Sequence, residues 1–191
     1  MLDDATLVER CRGGDALAWE ALVRRFQGRV CAVAFGYLRS REEARDMAQE
    51  IFVRVYQRLD SFRGGERFLP WLLSMSRNAC IDRLRRQKAR PPSSDVPVDD
   101  GPEIADGAAG PEEQAEAAGR RRLLYRALSR MTSTNREMIL LKEIQGLKLE
   151  EIATMLALPL GTVKSRSNRA RVELASKIRV LDPSYGTPGG A

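Results

Sequence analysis

Two sets of side chains in this chain have the types and spacing that nucleic-acid chemistry requires. In the first, Phe62, Phe68 and Trp71 alternate with Arg63, Arg67, Arg77, Arg83, Arg85 and Arg86. Rings that stack on bases, beside guanidiniums that hold phosphates, suit an unpaired strand. Asn78, one helical turn beyond Ser74 on the Trp71 side, can read a base edge through paired hydrogen bonds. Phe68 and Trp71 are equally well explained as core, and the run from Arg83 to Arg90 as a solvated basic face. The second set lies in EEIATMLALPLGTVKSRSNRAR, from Glu150 to Arg171. Thr162, Lys164, Ser165, Asn168 and Arg169 there can supply phosphate and base contacts to a duplex.

The elements that must carry these groups are helices. Ile152, Ala153 and Leu156 form a helical stripe, Leu158-Pro159-Leu160-Gly161 interrupts it, and Thr162 is placed to cap a second helix whose inner face is Val163, Ala170 and Leu174. That is a helix-turn-helix layout with a basic second helix. An ordinary helical hairpin with a solvated basic face has the same periodicity.

Upstream, Leu7, Val8 and Cys11 precede a Gly13-Gly14 break, and Asp15 can cap a long helix carrying Trp19, Leu22, Val23, Phe26, Val30, Val33, Ala34 and Tyr37 on one face. Ser40 with Glu43 reads as a capping box, followed by the apolar stripe Ile51, Phe52, Val55 and Leu59. Ser61–Phe68 is a loop with a Gly-Gly hinge, and Pro70 fits the first turn of the next helix. Further on, Leu123, Leu124, Ala127, Leu128 and Met131 line one helix. Thr134 with Glu137 reads as a second capping box, and Gly146 as a helix end.

The expected fold is all-α: two small helical domains, 1–90 and 117–181, joined by a flexible acidic linker over 91–116, with a disordered tail at 182–191. Between Pro91 and Glu113 there is no Lys or Arg. A linker of ~25 residues has a relaxed span of roughly 25–30 Å and an extended reach near 85 Å.

Composition narrows the function. The net charge of +6 and pI near 9.6 favour a polyanionic partner. There is no histidine, and the cysteines, Cys11, Cys31 and Cys80, are odd in number and widely spaced. That composition argues against zinc sites, histidine general-base chemistry and a disulfide framework, and predicts no metal and small apolar thiols in a reducing compartment. No P-loop, dinucleotide fingerprint or nucleophile elbow is present, and Asp99-Asp100 falls in the linker. The expectation is a non-enzyme with no catalytic residues, no cofactor and no small-molecule substrate. The acidic N-terminus and the lack of a long apolar run predict a cytoplasmic protein without a signal peptide.

The order of motifs, LVERCRGGDALAWEALVRRF, EEARDMAQEIFVRVY and FLPWLLSMSRNACIDRLRR, then LLKEIQGLKLEEIATMLALPLGTVKSRSNRAR, resembles the extracytoplasmic-function (ECF) sigma factors of bacterial RNA polymerase, which contain only sigma regions 2 and 4. The resemblance covers both domains and omits the linker and tail. It implies binding to core RNA polymerase and promoter DNA. Region 2 would meet the clamp helices of the largest subunit through Asp46, Gln49 and Glu50, and would open the minus-ten element. There the Ser61–Phe68 loop would capture a flipped base, with Asn78 beside it.

Region 4 would dock on the flap of the second-largest subunit. It would read the minus-thirty-five element with Lys164, Ser165, Asn168 and Arg169 on the helix starting near Thr162, while Arg166 holds phosphate. Control by an anti-sigma factor, often membrane-bound, is also implied.

Three residues depart from the family pattern: Ser167 at an apolar position, Ala157 at the turn glycine, and Lys148 at a capping serine. A duplex-binding regulator that works without polymerase would explain the second domain but leave the first without a role. An adaptor module would show no salt-sensitive DNA affinity.

Overall fold

The computed structural model describes residues 2–62, 67–88 and 111–185, with backbone only at 111 and 112. Arg63, the Gly64-Gly65 pair, Arg90, the linker as far as 110 and the tail from 186 lie outside the described residues. The chain divides into an N-terminal and a C-terminal unit.

In the N-terminal unit, α1 (Asp4–Arg12), α2 (Ala16–Leu38) and α3 (Arg41–Arg58) are followed by a 3-10 turn, Leu59–Ser61, and then α4 (Phe68–Lys88). The starts of α1, α2 and α3 each have a local cause. The Asp3 carboxylate accepts from the Thr6 N–H, Asp15 from those of Leu17 and Ala18, and Ser40 Oγ from that of Glu43. The Glu43 side chain does not close its expected box; it accepts from Gln87 Nε2 at 2.7 Å and so ties α3 to the end of α4. Helix α2 is the hub, packed against α1, α3 and α4. Leu7, Leu22, Ile51, Leu72 and Leu73 are the largest side chains sealed between them, each worth roughly 1.5–3 kcal/mol of burial.

The C-terminal unit comprises α5 (Pro111–Ser129), α6 (Ser133–Ile139), a π-helical turn (Leu140–Ile144), α7 (Leu149–Leu156) and α8 (Leu160–Leu181). Helix α5 begins at Pro111, ahead of Ala117, so helix already occupies the end of the segment read as linker. Helices α5, α6 and α7 all pack on α8. Leu128, Met138, Ile139, Leu140, Leu141, Leu147 and Ile152 are fully buried among them.

Two expected caps are corrected. Helix α6 starts at Ser133, so Thr134 lies inside its first turn, and the capping acceptor comes from another helix, described below. Helix α8 starts at Leu160 behind Pro159, so Thr162 is also inside the first turn, where its carbonyl accepts from Ser165 Oγ at 3.0 Å. Proline supplies a backbone already set for entry into a helix, which lets α8 begin before the first hydroxyl.

The departures noted in the sequence have structural counterparts. Ala157 ends α7 in the left-handed region at φ 52°, ψ 47°. The Leu158 N–H bonds to Ala153 O at 3.0 Å and the Ala157 N–H to Thr154 O at 3.2 Å, a Schellman arrangement in which glycine is the unstrained residue. Ala157→Gly is therefore expected to stabilise the C-terminal unit by about 0.5–1 kcal/mol. Amide exchange of α7 in the full chain measures this; slower exchange is the expected result and unchanged exchange contradicts it. Lys148 has no acceptor on its side chain, and half of a capping box survives because Glu151 accepts from the Lys148 N–H at 2.7 Å. Ser167 is buried, 5% exposed, on the inner face between Val163 and Ala170.

Candidate nucleic-acid and polymerase interfaces

Helix α3 presents its polar set outward. Asp46 and Gln49 are exposed, and Glu50 is half-buried and paired with Arg54 one turn on. Helical spacing places these residues on one stripe. The same stripe continues into Val53 and Tyr56, which are 57% and 62% exposed. The Tyr56 ring leans edge-on against Trp19 of α2, with centroids 5.1 Å apart. Sequence reading passed over these two residues. The available signal was that they fall between, not on, the buried positions Ile51, Phe52, Val55 and Leu59. An exposed valine and tyrosine beside carboxylates give this stripe an amphipathic surface.

At the start of α4 the structure corrects the stacking assignment. Phe62 and Phe68 are 4% and 3% exposed and belong to the core. Their rings meet at 5.5 Å, Phe26 packs on Phe68 at 5.1 Å, and Trp71 lies 5.4 Å from Phe62 and 5.7 Å from Phe68. Of the three rings proposed to stack on bases, Trp71 alone retains partial exposure.

Ser74 and Asn78 follow Trp71 along one face of α4, and Asn78 is exposed, its Oδ1 3.4 Å from Arg77 Nη1. Farther along, Arg83 lies 3.6 Å from Glu43, while Arg85 and Arg86 approach the Asp82 carboxylate and carbonyl respectively. Three cations, Arg85, Arg86 and Lys88, thus close the last turn of α4, where the helix dipole favours positive charge, with Arg83 just before them. A cleft of about 630 Å³ opens beside Phe62 and Arg67, with Glu9, Arg25 and Arg29 on its other walls. Its cationic side is partly neutralised, since Arg25 pairs with Asp4 at 2.8 Å.

One residue that sequence reading missed holds this region together. Arg12 of α1 donates through Nε and Nη2 to the Leu59 carbonyl at 3.2 and 3.1 Å, and through Nη2 to the Phe62 carbonyl. Its Nη1 meets Glu9 at 2.6 Å, and the guanidinium carbon sits 5.9 Å from the Phe62 ring centroid.

On α8, Val163, Ser167 and Ala170 face inward. Lys164, Ser165, Asn168 and Arg169 are exposed on the opposite side, and Thr162 and Arg166 are half-buried at its margin. The helix is held from behind by Glu173, whose carboxylate accepts from the Thr132 N–H at 2.9 Å, from Thr132 Oγ1 at 3.1 Å and from Asn135 Nδ2. Burial raises the Glu173 carboxyl, but the hydrogen bonds from Asn135 and Thr132, with Lys177 nearby, outweigh it and hold the group below its ordinary range. Arg171 is engaged with Glu143 at 2.8 Å and is not part of the outward set.

Among the described residues no His, Cys, Asp and Glu cluster gathers to hold a metal, and no helix is long and apolar enough to cross a membrane. Burial lifts the Cys80 thiol to about 12, which makes it a neutral packing group.

An α-helical chain with a basic helix-turn-helix in one unit, and an aromatic and cationic helix in the other, has the architecture of a two-domain helical factor with candidate nucleic-acid faces. Comparison with known proteins makes this specific. Residues 22–90 match the family described as Sigma-70 region 2, and residues 121–174 match Sigma-70, region 4. The ECF RNA polymerase sigma-E factor of Escherichia coli (strain K12) is 36% identical over 185 residues, covering 94% of this chain and 96% of that protein. That of Haemophilus influenzae is 33% identical, covering 94% and 97%.

The chain belongs to the ECF RNA polymerase sigma factors, and so is a transcription initiation factor and not an enzyme. Two solved structures share the fold. CnrH, in complex with the cytosolic domain of CnrY, has a TM-score of 0.65 at 23% identity over 94% of this chain and 97% of its own. The sigma factor RpoE, in complex with the anti-sigma factor NepR from Bartonella quintana, has a TM-score of 0.64 at 21% identity over 84% and 96%.

Proposed function

We propose that this sigma factor directs core RNA polymerase to its promoters by dividing the work between its two units. The stripe Asp46, Gln49, Glu50, Val53 and Tyr56 engages the clamp helices of the largest subunit. The face of α4, with Trp71, Asn78 and the cations Arg67, Arg77, Arg83, Arg85 and Arg86, holds the minus-ten element as a melted strand. With Phe62 and Phe68 in the core, base stacking falls to Trp71, and the two phenylalanines buttress it.

The C-terminal unit docks on the flap of the second-largest subunit. It reads the minus-thirty-five element as duplex through Lys164, Ser165, Asn168 and Arg169, with Thr162 and Arg166 toward phosphate. An anti-sigma factor, membrane-bound or soluble, holds the protein inactive in the cytoplasm by covering the polymerase-binding faces. CnrH and RpoE, each solved with a bound protein partner, support that control.

The observation that carries the proposal is the outward placement of the polar α8 set, opposite the buried stripe, in a chain of this family. In vitro transcription with core polymerase tests it. Asn78→Ala is expected to relax base preference in the minus-ten element alone, and Lys164→Ala or Arg169→Ala to weaken the minus-thirty-five contribution alone, each by roughly 5–100-fold. Equal effects of all three on both elements would contradict the division of labour, and failure to activate any promoter would end the proposal.

A further inference from the structure

We propose that Arg12 is a positioning residue for the minus-ten strand, acting through Phe62 on the ring of Trp71. The match to region 2 begins at residue 22, beyond α1, yet the Arg12 side chain of α1 reaches the carbonyls of Leu59 and Phe62 just ahead of α4. Every nitrogen of its guanidinium is engaged: Nε and Nη2 on the Leu59 carbonyl, Nη2 also on the Phe62 carbonyl, and Nη1 on Glu9. The planar fork suits this better than a point charge would, because it satisfies two carbonyls in fixed directions. Its charge also sits at the end of the 3-10 turn that follows α3, where helical carbonyls point outward.

The consequence lies one contact further on. Phe62 carries the guanidinium on its ring and is pinned at its carbonyl, so it has little freedom to tilt. It packs against both Phe68 and Trp71. Phe62 and Phe68 flank the residues that separate the 3-10 turn from α4, and their contact draws the two ends together. Arg12 thereby sets the plane of Trp71, the ring with partial exposure, relative to Asn78 on the same helix. Stacking and edge-reading select a base only when plane and edge are held in register.

This inference rests on the minus-ten reading above. Its test uses the full chain reconstituted with core polymerase, and the rate of open-complex formation on a promoter and on its single-base variants at the position that Asn78→Ala relaxes. Arg12→Gln is expected to shrink the preference for the best base over the worst at least tenfold, with affinities for core polymerase and for minus-thirty-five duplex held within twofold. Arg12→Lys, which keeps the charge without the fork, is expected to fall between.

Trp19→Phe leaves Trp71 as the protein's tryptophan reporter, and both Arg12 variants are expected to shift its emission to the red in the free protein. A uniform loss on every base variant would mark Arg12 as merely structural and overturn the proposal, as would unchanged selectivity or unchanged Trp71 emission. If the wild-type holoenzyme itself shows no base preference there, the minus-ten reading fails. If the wild type is selective and Arg12→Gln equally so, only the role of Arg12 fails.

Discussion

Val53→Asp is expected to weaken binding to core RNA polymerase by about 10–100-fold, or about 1.4–2.8 kcal/mol, while leaving the fold intact. Val53 is 57% exposed on α3, so the substitution removes little that the free protein has buried. Valine and aspartate also have similar helix propensities, so surface changes of this kind cost within about 0.5 kcal/mol of folding stability. In a docked face the balance reverses. An apolar contact is lost and a carboxylate must be desolvated beside Asp46, Gln49 and Glu50. Fluorescence anisotropy with labelled protein gives the affinity and a thermal melt gives the control. Unchanged affinity would confine the interface to the polar trio, and a lowered melting temperature would show that Val53 supports the fold instead.

The second large effect concerns Glu173. Glu173→Ala is expected to destabilise the C-terminal unit by about 2 kcal/mol, because it removes a charged acceptor from the start of α6 and leaves the Thr132 N–H and the Asn135 amide without it. Amide exchange in α6 and α8 of the full chain reports on that unit directly. The tryptophans, Trp19 and Trp71, are both in the other unit and would not.

The same group predicts an acid dependence. Its folded value lies below the ordinary 4.5, so its contribution is complete at neutral pH and is lost as pH falls below about 4.5, through the depressed folded value. Glu173→Gln should lack this acid-sensitive component, and the difference in stability between the two proteins should shrink only on the acid side. A difference that stayed constant from pH 7 to pH 3 would show that the carboxylate charge does not matter.

Much of the fold could be read from short spacings. Asp15 and Ser40 cap the helices that their positions announced, Gly146 adopts the positive φ of 70° that ends the π-helical turn, and Ala157 is strained where a glycine was expected. Apolar residues recurring every three or four positions located the helices, and the outward set on α8 followed from the stripe on its other face. Such features are legible because they depend on neighbours three or four residues away. Where periodicity was the only guide, burial was harder to assign. Ala127, Leu128 and Met131 of the stripe named for α5 are buried, but Tyr125, at 4% exposure, lies deeper than Leu123 and Leu124, which were also named for it.

What the sequence by itself determined was the helical class, the helix-turn-helix and the family. Tertiary structure decided which side chains on those helices are free to act. It took Phe62 and Phe68 out of the candidate stacking surface and left Val53 and Tyr56 exposed on the polar stripe of α3. It supplied α6 with a cap from Glu173, 41 residues away, and anchored Phe62 to Arg12, 50 residues away. No local pattern encodes such contacts. A ring or a guanidinium has the same propensities whether it meets solvent or a neighbouring helix, and only the packing of α1 and α4 around α2 settles which it meets.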